Sequence, residues 1–189
     1  MKKKILICAC IAICLSIVAY GTTAYFTYED TATNVITAGN VKIELQEWSI
    51  PEDGGDPVPF EDVMDVMPGM EVSKIVQIKN TGVQDAWVRI SLEKSIALAE
   101  GVTGEVDLSL IGCDFNETDW TEKDGYYYYN KKLAPGETTE ALFTKVLFAA
   151  NMGNMYQHSK AVIELLAQAT QVVHNGDTVF EAAGWPKAE

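Results

Sequence analysis

The chain has 189 residues, a length typical of a single domain. Apolar residues make up 48% of it and charged residues 22%, which excludes a wholly disordered chain. Its 14 basic residues against 27 acidic ones give a net charge of −13. This excess of acid argues against nucleic-acid binding, which needs a basic surface, and against electrostatic docking on anionic lipid.

The first 24 residues have the pattern of a secretory signal peptide. Residues 2–4 are lysines, residues 5–19 carry no charge, and Thr22 and Ala24 place small side chains at positions −3 and −1 of a cleavage site. We therefore predict that residues 1–24 are removed and that the mature chain begins at Tyr25. The protein is then secreted, either into the extracellular matrix or onto the cell surface.

An uncleaved membrane anchor is the alternative to a cleaved leader. No charge separates Lys4 from Glu29, so residues 5–26 are just long enough to span a bilayer. The break of small residues that ends the apolar run favours cleavage.

Three of the four cysteines, Cys8, Cys10 and Cys14, lie in the predicted leader. Only Cys113 remains in the mature chain, which excludes an intrachain disulfide and a cysteine metal site there. We expect Cys113 to pack as a small buried hydrophobe, with an intermolecular disulfide as the alternative.

The rest of the chain alternates apolar and polar residues with the period of two that is typical of half-buried strands. In residues 87–93, for example, Val88 and Ile90 face inward and Arg89 faces outward. Residues 123–125, Lys-Asp-Gly, predict a hairpin turn. Further strands are predicted over residues 41–48, near 63–66, and over 72–79, 106–110, 120–121, 126–131 and 138–148.

One segment is ambiguous, because residues 161–173 fit both a helix and a strand. We assign a strand, since every other segment is one and a long lone helix would need its own docking surface. Residues 49–71 predict a long acidic loop, and residues 177–184 a single helical turn. With frequent turns and no βαβ rhythm, residues 41–184 predict an all-β fold, an antiparallel β-sandwich.

Several segments resemble the TasA/camelysin family of Gram-positive bacteria. Residues 21–27, Gly-Thr-Thr-Ala-Tyr-Phe-Thr, together with residues 30–34 and 38–43, are similar to the leader junction and mature start of that family. Its recurring turns and strands resemble three further segments, residues 68–69, 79–89 and 129–139.

The resemblance implies an exported jelly-roll domain that polymerises into the fibres of a biofilm matrix, with a leader cut by a signal peptidase of the SipW type. In such fibres the mature N-terminus inserts as a strand into the neighbouring subunit, a form of β-augmentation. The candidate donor segment is 25–40, in which Phe26, Tyr28, Val35 and Ile36 would fill a groove on the partner. The implied partners are the chain itself, the peptidase, and a matrix accessory protein or cell-wall glycan. From the residues alone, the segment also fits a frayed tail or the first strand of its own sheet.

Camelysin is classed as a metallopeptidase, so the resemblance raises the question of a catalytic zinc site. Such a site needs about three nitrogen or oxygen ligands and an open position. The chain has two histidines, His158 and His174, and neither lies in a His-Glu-x-x-His motif. We predict that the protein is not an enzyme, with a camelysin-like metallopeptidase as a remote alternative.

Acidic residues cluster in two loops, and calcium, which takes six to eight oxygen ligands, is the metal they could hold. The first cluster lies within residues 52–65. In the second, Asp119 stands where a helix–loop–helix calcium site has its glycine. We expect no cofactor, with weak calcium candidates at Asp114, Asn116, Asp119 and Glu122.

Four consecutive tyrosines, residues 126–129, suggest a sugar-stacking platform near Trp120. In a strand, however, alternate side chains face opposite ways, so at most two of the four can form a platform and the others belong to the core. A glycan-binding adhesin is therefore the alternative function.

Overall fold

The computed structural model describes residues 26–30, 34–38 and 40–186, so the predicted leader and its cleavage site at Thr22, Ala24 and Tyr25 lie outside the described residues. These residues form thirteen strands and two short 3-10 turns, Leu108–Leu110 and Asn154–Tyr156. The strands are β1 Phe26–Asp30, β2 Asn34–Thr37, β3 Ile43–Ser49, β4 Val58–Pro59, β5 Val63–Val66, β6 Glu71–Ser73, β7 Ile75–Asn80, β8 Ala86–Ala97, β9 Ile111–Cys113, β10 Trp120–Lys123, β11 Tyr126–Tyr129, β12 Lys145–Phe148 and β13 Ser159–Gln171.

The largest sheet is built around β8 and β13. Its strand order is β10-β11-β8-β13-β1-β5, and β2 also pairs with β13. Strands β8 and β13 pair in antiparallel register from Ala86 opposite Gln171 to Ala97 opposite Lys160. The assignment of the ambiguous segment as a strand is confirmed, and its inward residues alternate along β13: Ala161, Ile163, Leu165, Ala167 and Ala169 are all buried.

The second layer consists of two small sheets, ordered β4-β3-β7 and β6-β12-β9. Backbone hydrogen bonds join them: Val76 donates to the carbonyl of Phe143, and Leu142 donates back to the carbonyl of Val76. One hydrophobic core contains buried residues from both layers. The predicted all-β antiparallel sandwich is thus confirmed, although β1 and β2 pair with β13 in the parallel sense.

The strand predicted over residues 72–79 is broken at Lys74. On its N-terminal side β6 pairs with β12, and on its C-terminal side β7 pairs with β3, so the chain passes between the two small sheets at this residue. The side chain of Lys74 is fully buried, where its ammonium group pairs with Glu47 and lies 3.8 Å from the ring centroid of Phe60.

Three other predictions about local structure need correction. The strand predicted over residues 106–110 is wrong, because Asp107 accepts hydrogen bonds from the backbone and hydroxyl of Ser109 and caps a 3-10 turn, leaving Leu108 40% exposed. Of the strand predicted over 138–148, only β12 forms. The predicted helical turn over 177–184 is a simple turn closed by one backbone hydrogen bond between residues 181 and 178.

None of the described residues lies in a helix long and apolar enough to cross a bilayer.

Candidate functional site

The N-terminal strands lie beside the C-terminal strand of the same chain. In β1, Phe26 is opposite Ser159 and Tyr28 is opposite Ala161, in parallel register with β13. The other edge of β1 pairs with β5 in the antiparallel sense, with an irregular register. Strand β1 therefore lies between two other strands of the main sheet and is bonded to both.

Strand β2 continues along β13 by the same parallel pairing. Val35 is opposite Ala167 and Ile36 is opposite Gln168. The side chain of Val35 is 37% exposed and that of Ile36 is half-buried. In the single chain, the segment predicted to be a donor is thus part of its own sheet, and exchange between subunits stays a prediction.

The second acidic cluster is held by hydrogen bonds within the protein. The carboxylate of Asp114 accepts bonds from the backbone and hydroxyl of Thr144, at 2.8 and 2.6 Å, and from the backbone of Lys145 at 2.6 Å. Partial burial acts to raise the pKa of Asp114, but the bonds from Thr144 and Lys145 outweigh it, so that the pKa lies below its ordinary value. Asp114 therefore fastens the loop before β10 to β12.

Of the other calcium candidates, Asn116 and Asp119 also form hydrogen bonds or ion pairs within the protein, whereas Glu122 is exposed. The side chain of Asn116 accepts hydrogen bonds from the backbone of residues 118 and 119 and donates to Asp119, which also pairs with Lys131 at 2.7 Å. Glu122 lies exposed on β10. Across the described residues, no three His, Cys, Asp or Glu side chains are grouped closely enough to hold a metal ion.

Both histidines are exposed residues of loops. His158 and His174 have positive φ angles of 56° and 57°, a conformation typical of tight turns. Cys113, by contrast, is half-buried at the end of β9, and this burial raises the pKa of its thiol to about 11. Its thiolate form is therefore scarce at neutral pH, which makes it a poor nucleophile.

The four tyrosines divide between the two faces of the hairpin as the period of two predicts. Tyr127 stacks on Phe115 with ring centroids 4.5 Å apart, and Tyr129 packs on Trp120 at 5.1 Å, both on the core side. Tyr126 and Tyr128 face the other side, in a second, smaller hydrophobic cluster built on Trp87, Tyr128 and Val179.

Arg89 lies on this outer face, but it is only 8% exposed. The prediction that it faces solvent is therefore wrong. Its guanidinium lies 3.7 Å from the ring centroid of Tyr126 and 4.5 Å from that of Trp185. It donates from Nε to Gln168 at 2.7 Å and from Nη1 to the Tyr128 hydroxyl at 2.9 Å. The alternation in β8 correctly predicted the face of the sheet on which Arg89 lies. It could not predict that a distant segment of the chain covers that face.

That cover is the irregular segment after β13, residues 172–186. Asn175 holds it in place by accepting a hydrogen bond from the backbone of Ala183 at 2.7 Å and donating to the carbonyls of Gln171 and Ala183. Val179 and Trp185 then pack on the outer cluster. The aromatic and apolar residues spaced along 179–185 were the sequence signal for this docking.

The model of one protein family, the camelysin metallo-endopeptidases, matches residues 1–113 of the chain, more than half its length. The chain belongs to the TasA/camelysin family. The part matched contains the predicted leader and the strands from β1 to β9, and it contains neither histidine. For this member of the TasA/camelysin family, no curated protein and no solved structure gives a match.

Proposed function

We propose that this TasA/camelysin protein is an exported structural subunit of extracellular biofilm matrix fibres, and that it polymerises head-to-tail by exchange of its N-terminal strand. The observation that carries the proposal is the parallel pairing of β1 and β2 with β13, which makes the N-terminal segment a strand added to an otherwise antiparallel sandwich.

We place the groove that a donor strand would fill at the position of β1, between β13 and β5. When β1 leaves, β13 and β5 both lose a paired edge, and their backbone N–H and C=O groups are left without partners. A strand from a second subunit would satisfy the same groups, and a subunit that gives one strand and receives one builds an open filament. Backbone bonds supply the affinity, and side chains such as Val35 and Ile36 supply the register.

The leader and the charge of the chain would control when assembly starts. While residues 1–24 are attached, the membrane holds the donor segment back, so cleavage after Ala24 permits exchange. Removing three lysines with the leader takes the net charge from −13 to −16 (−13 − 3). Such subunits repel one another, so mild acid or added salt is expected to speed fibre growth.

The test is electron microscopy and light scattering on secreted protein. Deleting residues 25–36 is expected to leave a folded, β-rich monomer that forms no filaments.

A milder variant, Val35→Pro with Ile36→Pro, removes two backbone donors from β2 and is expected to slow filament growth strongly. Its control is Val83→Pro in an exposed loop, which should assemble normally. Filaments from the deletion variant would contradict strand exchange.

Export is tested separately by N-terminal sequencing. The secreted protein should begin at Tyr25, and Ala24→Arg, which places a large charged residue at position −1, should block release. Recovery of the chain only in membranes, with Met1 intact, would favour the uncleaved anchor.

We further propose that the chain has no peptidase activity, despite the description of its family. Both histidines are exposed in turns, and each lies beyond the residues that the family model matches. The purified protein should not digest casein. Digestion that is abolished both by a chelator and by His158→Ala would contradict this.

A further inference from the structure

Three aromatic rings form a partly exposed ledge on the outer face of the main sheet. The aromatic ledge consists of Tyr126, Phe180 and Trp185, which surround the buried Tyr128 with ring centroids 6.2, 5.5 and 5.8 Å from its own. Phe180 is 43% exposed, and the other two are half-buried. All three lie outside the part of the chain that the family model matches.

Two cations border the aromatic ledge. Arg89 is buried and lies against Tyr126 and Trp185, whereas Lys123 is exposed, with its Nζ 5.7 Å from the ring centroid of Phe180. Neither cation is paired with a carboxylate among the residues that the structure describes. Buried charges are usually paired, so the buried Arg89, which has no carboxylate partner among the described residues of a chain of net charge −13, favours an anionic partner. The exposed Lys123 adds a second positive charge on the same face.

The register of the strands explains why no acidic residue of β10 or β11 shares the face of the two cations. Lys123 is opposite Tyr126 and Tyr128 is opposite Arg89, so these four side chains share the outer face. Glu122 is opposite Tyr127 and therefore lies on the other face. The acidic residues of the hairpin are thus directed away from the ledge or lie at its turn.

The ledge also has unused hydrogen-bond donors. Arg89 uses Nε and Nη1 within the protein, which leaves Nη2 for a ligand. In the same outer cluster, the indole nitrogen of Trp87 is buried without a hydrogen-bond partner. A buried polar group in this state is uncommon in folded proteins, but Trp87 is only 2% exposed, so the donor within reach of a ligand is Nη2 of Arg89.

We propose that the aromatic ledge binds a carboxylate-bearing saccharide, such as a polymer of uronic acid. The C–H face of a sugar ring is flat, apolar and weakly positive, and it stacks on the negative faces of Phe180 and Trp185. The carboxylate then pairs with Lys123 and with Nη2 of Arg89 through charge-assisted hydrogen bonds. This selects the face of the hairpin that carries Tyr126 and Tyr128, and not the face of Tyr127 and Tyr129, as the one turned towards the sugar, with Tyr128 buried beneath the ledge. The proposal does not depend on fibre assembly.

The test is binding of polygalacturonate to the purified protein by calorimetry at 0.15 M salt, where repulsion from distant acidic residues is screened beyond about 8 Å. Dextran, a neutral polymer, should bind much more weakly. Lys123→Gln and Phe180→Ala should each weaken binding roughly three- to tenfold. The control Lys42→Gln removes the same charge from an exposed residue next to β3 and should change nothing.

Other results would overturn the proposal. Equal binding of dextran would show that the carboxylate is not recognised, and equal loss in Lys42→Gln would show a nonspecific charge effect. Tighter binding of polyglutamate than of polygalacturonate would assign the ledge to an acidic peptide. Arg89→Lys keeps the charge but loses the planar guanidinium, so it should bind more weakly while its circular dichroism spectrum stays unchanged.

Discussion

The side-chain nitrogen of Asn80 donates a 2.8 Å hydrogen bond to the carbonyl oxygen of Leu133, which lies 53 residues further along the chain. The same nitrogen donates to the carbonyl of Gln84, and the Asn80 side-chain oxygen accepts from the backbone of Gly82. The backbone of Asn80 also bonds to residues 136 and 137. Two segments that resemble the family, residues 79–89 and 129–139, are therefore joined by hydrogen bonds. The residues that carry this part of the resemblance hold the fold together.

Asn80→Ala is expected to lower the free energy of unfolding by about 3 kcal/mol, because it removes three hydrogen bonds between the Asn80 side chain and the backbone. Urea unfolding followed by circular dichroism measures this. Asn130→Ala, on the exposed hairpin, is the control and should cost about 1 kcal/mol or less. An equal loss in the two variants would show that burial of Asn80 adds nothing.

Asp114 is expected to make stability depend on pH. Its folded pKa lies below the unfolded value of about 3.9. Its contribution is therefore fully present above that value and is lost as the pH falls through the folded pKa. Asp114→Asn should be less stable than the parent by about 1 kcal/mol at pH 7. This difference should narrow as the pH is lowered below the unfolded value of about 3.9. Asp124→Asn, at the exposed hairpin turn, should follow the parent over the same pH range; a pH-independent gap for Asp114→Asn would contradict this assignment.

The buried pair of Lys74 and Glu47 is expected to be strongly coupled. Lys74→Met leaves a carboxylate in a dry interior and should cost about 3–5 kcal/mol, whereas adding Glu47→Leu should restore part of the loss. A double-mutant cycle in urea should give a coupling energy on the order of 1–3 kcal/mol. The exposed pair of Lys145 and Glu71 is the control, for which we expect less than about 1 kcal/mol. Similar coupling in the two cycles would refute a special role for burial.

Cys113 is expected to react slowly in the folded protein. Burial raises its pKa to about 11, so little thiolate forms at pH 8. In a variant with serine at positions 8, 10 and 14, a thiol reagent should label the folded chain far more slowly than the urea-unfolded chain. The same variant should run as a monomer on a non-reducing gel. Rapid labelling, or a disulfide-linked dimer, would revive the intermolecular disulfide.

Local patterns in the sequence were sufficient for most strands. The alternation in residues 161–173 predicted which side of β13 is buried, and Lys-Asp-Gly predicted the β10–β11 hairpin. The same alternation failed at residues 106–110, where the hydrogen bonds of Asp107 to Ser109 stabilise a 3-10 turn instead. A short polar side chain that bonds to its own backbone competes with strand pairing, and periodicity does not detect it.

The sequence by itself determined the composition, the leader pattern, the all-β class and the two faces of each strand, because these follow from charge, apolar length and a period of two. The tertiary structure alone decided what covers each face. It buried Arg89 under Trp185, placed Lys74 at the junction of two sheets, and paired Asp114 with Thr144. A strand's pattern fixes the direction of a side chain, but its partner comes from a distant part of the chain and depends on the packing of the whole fold.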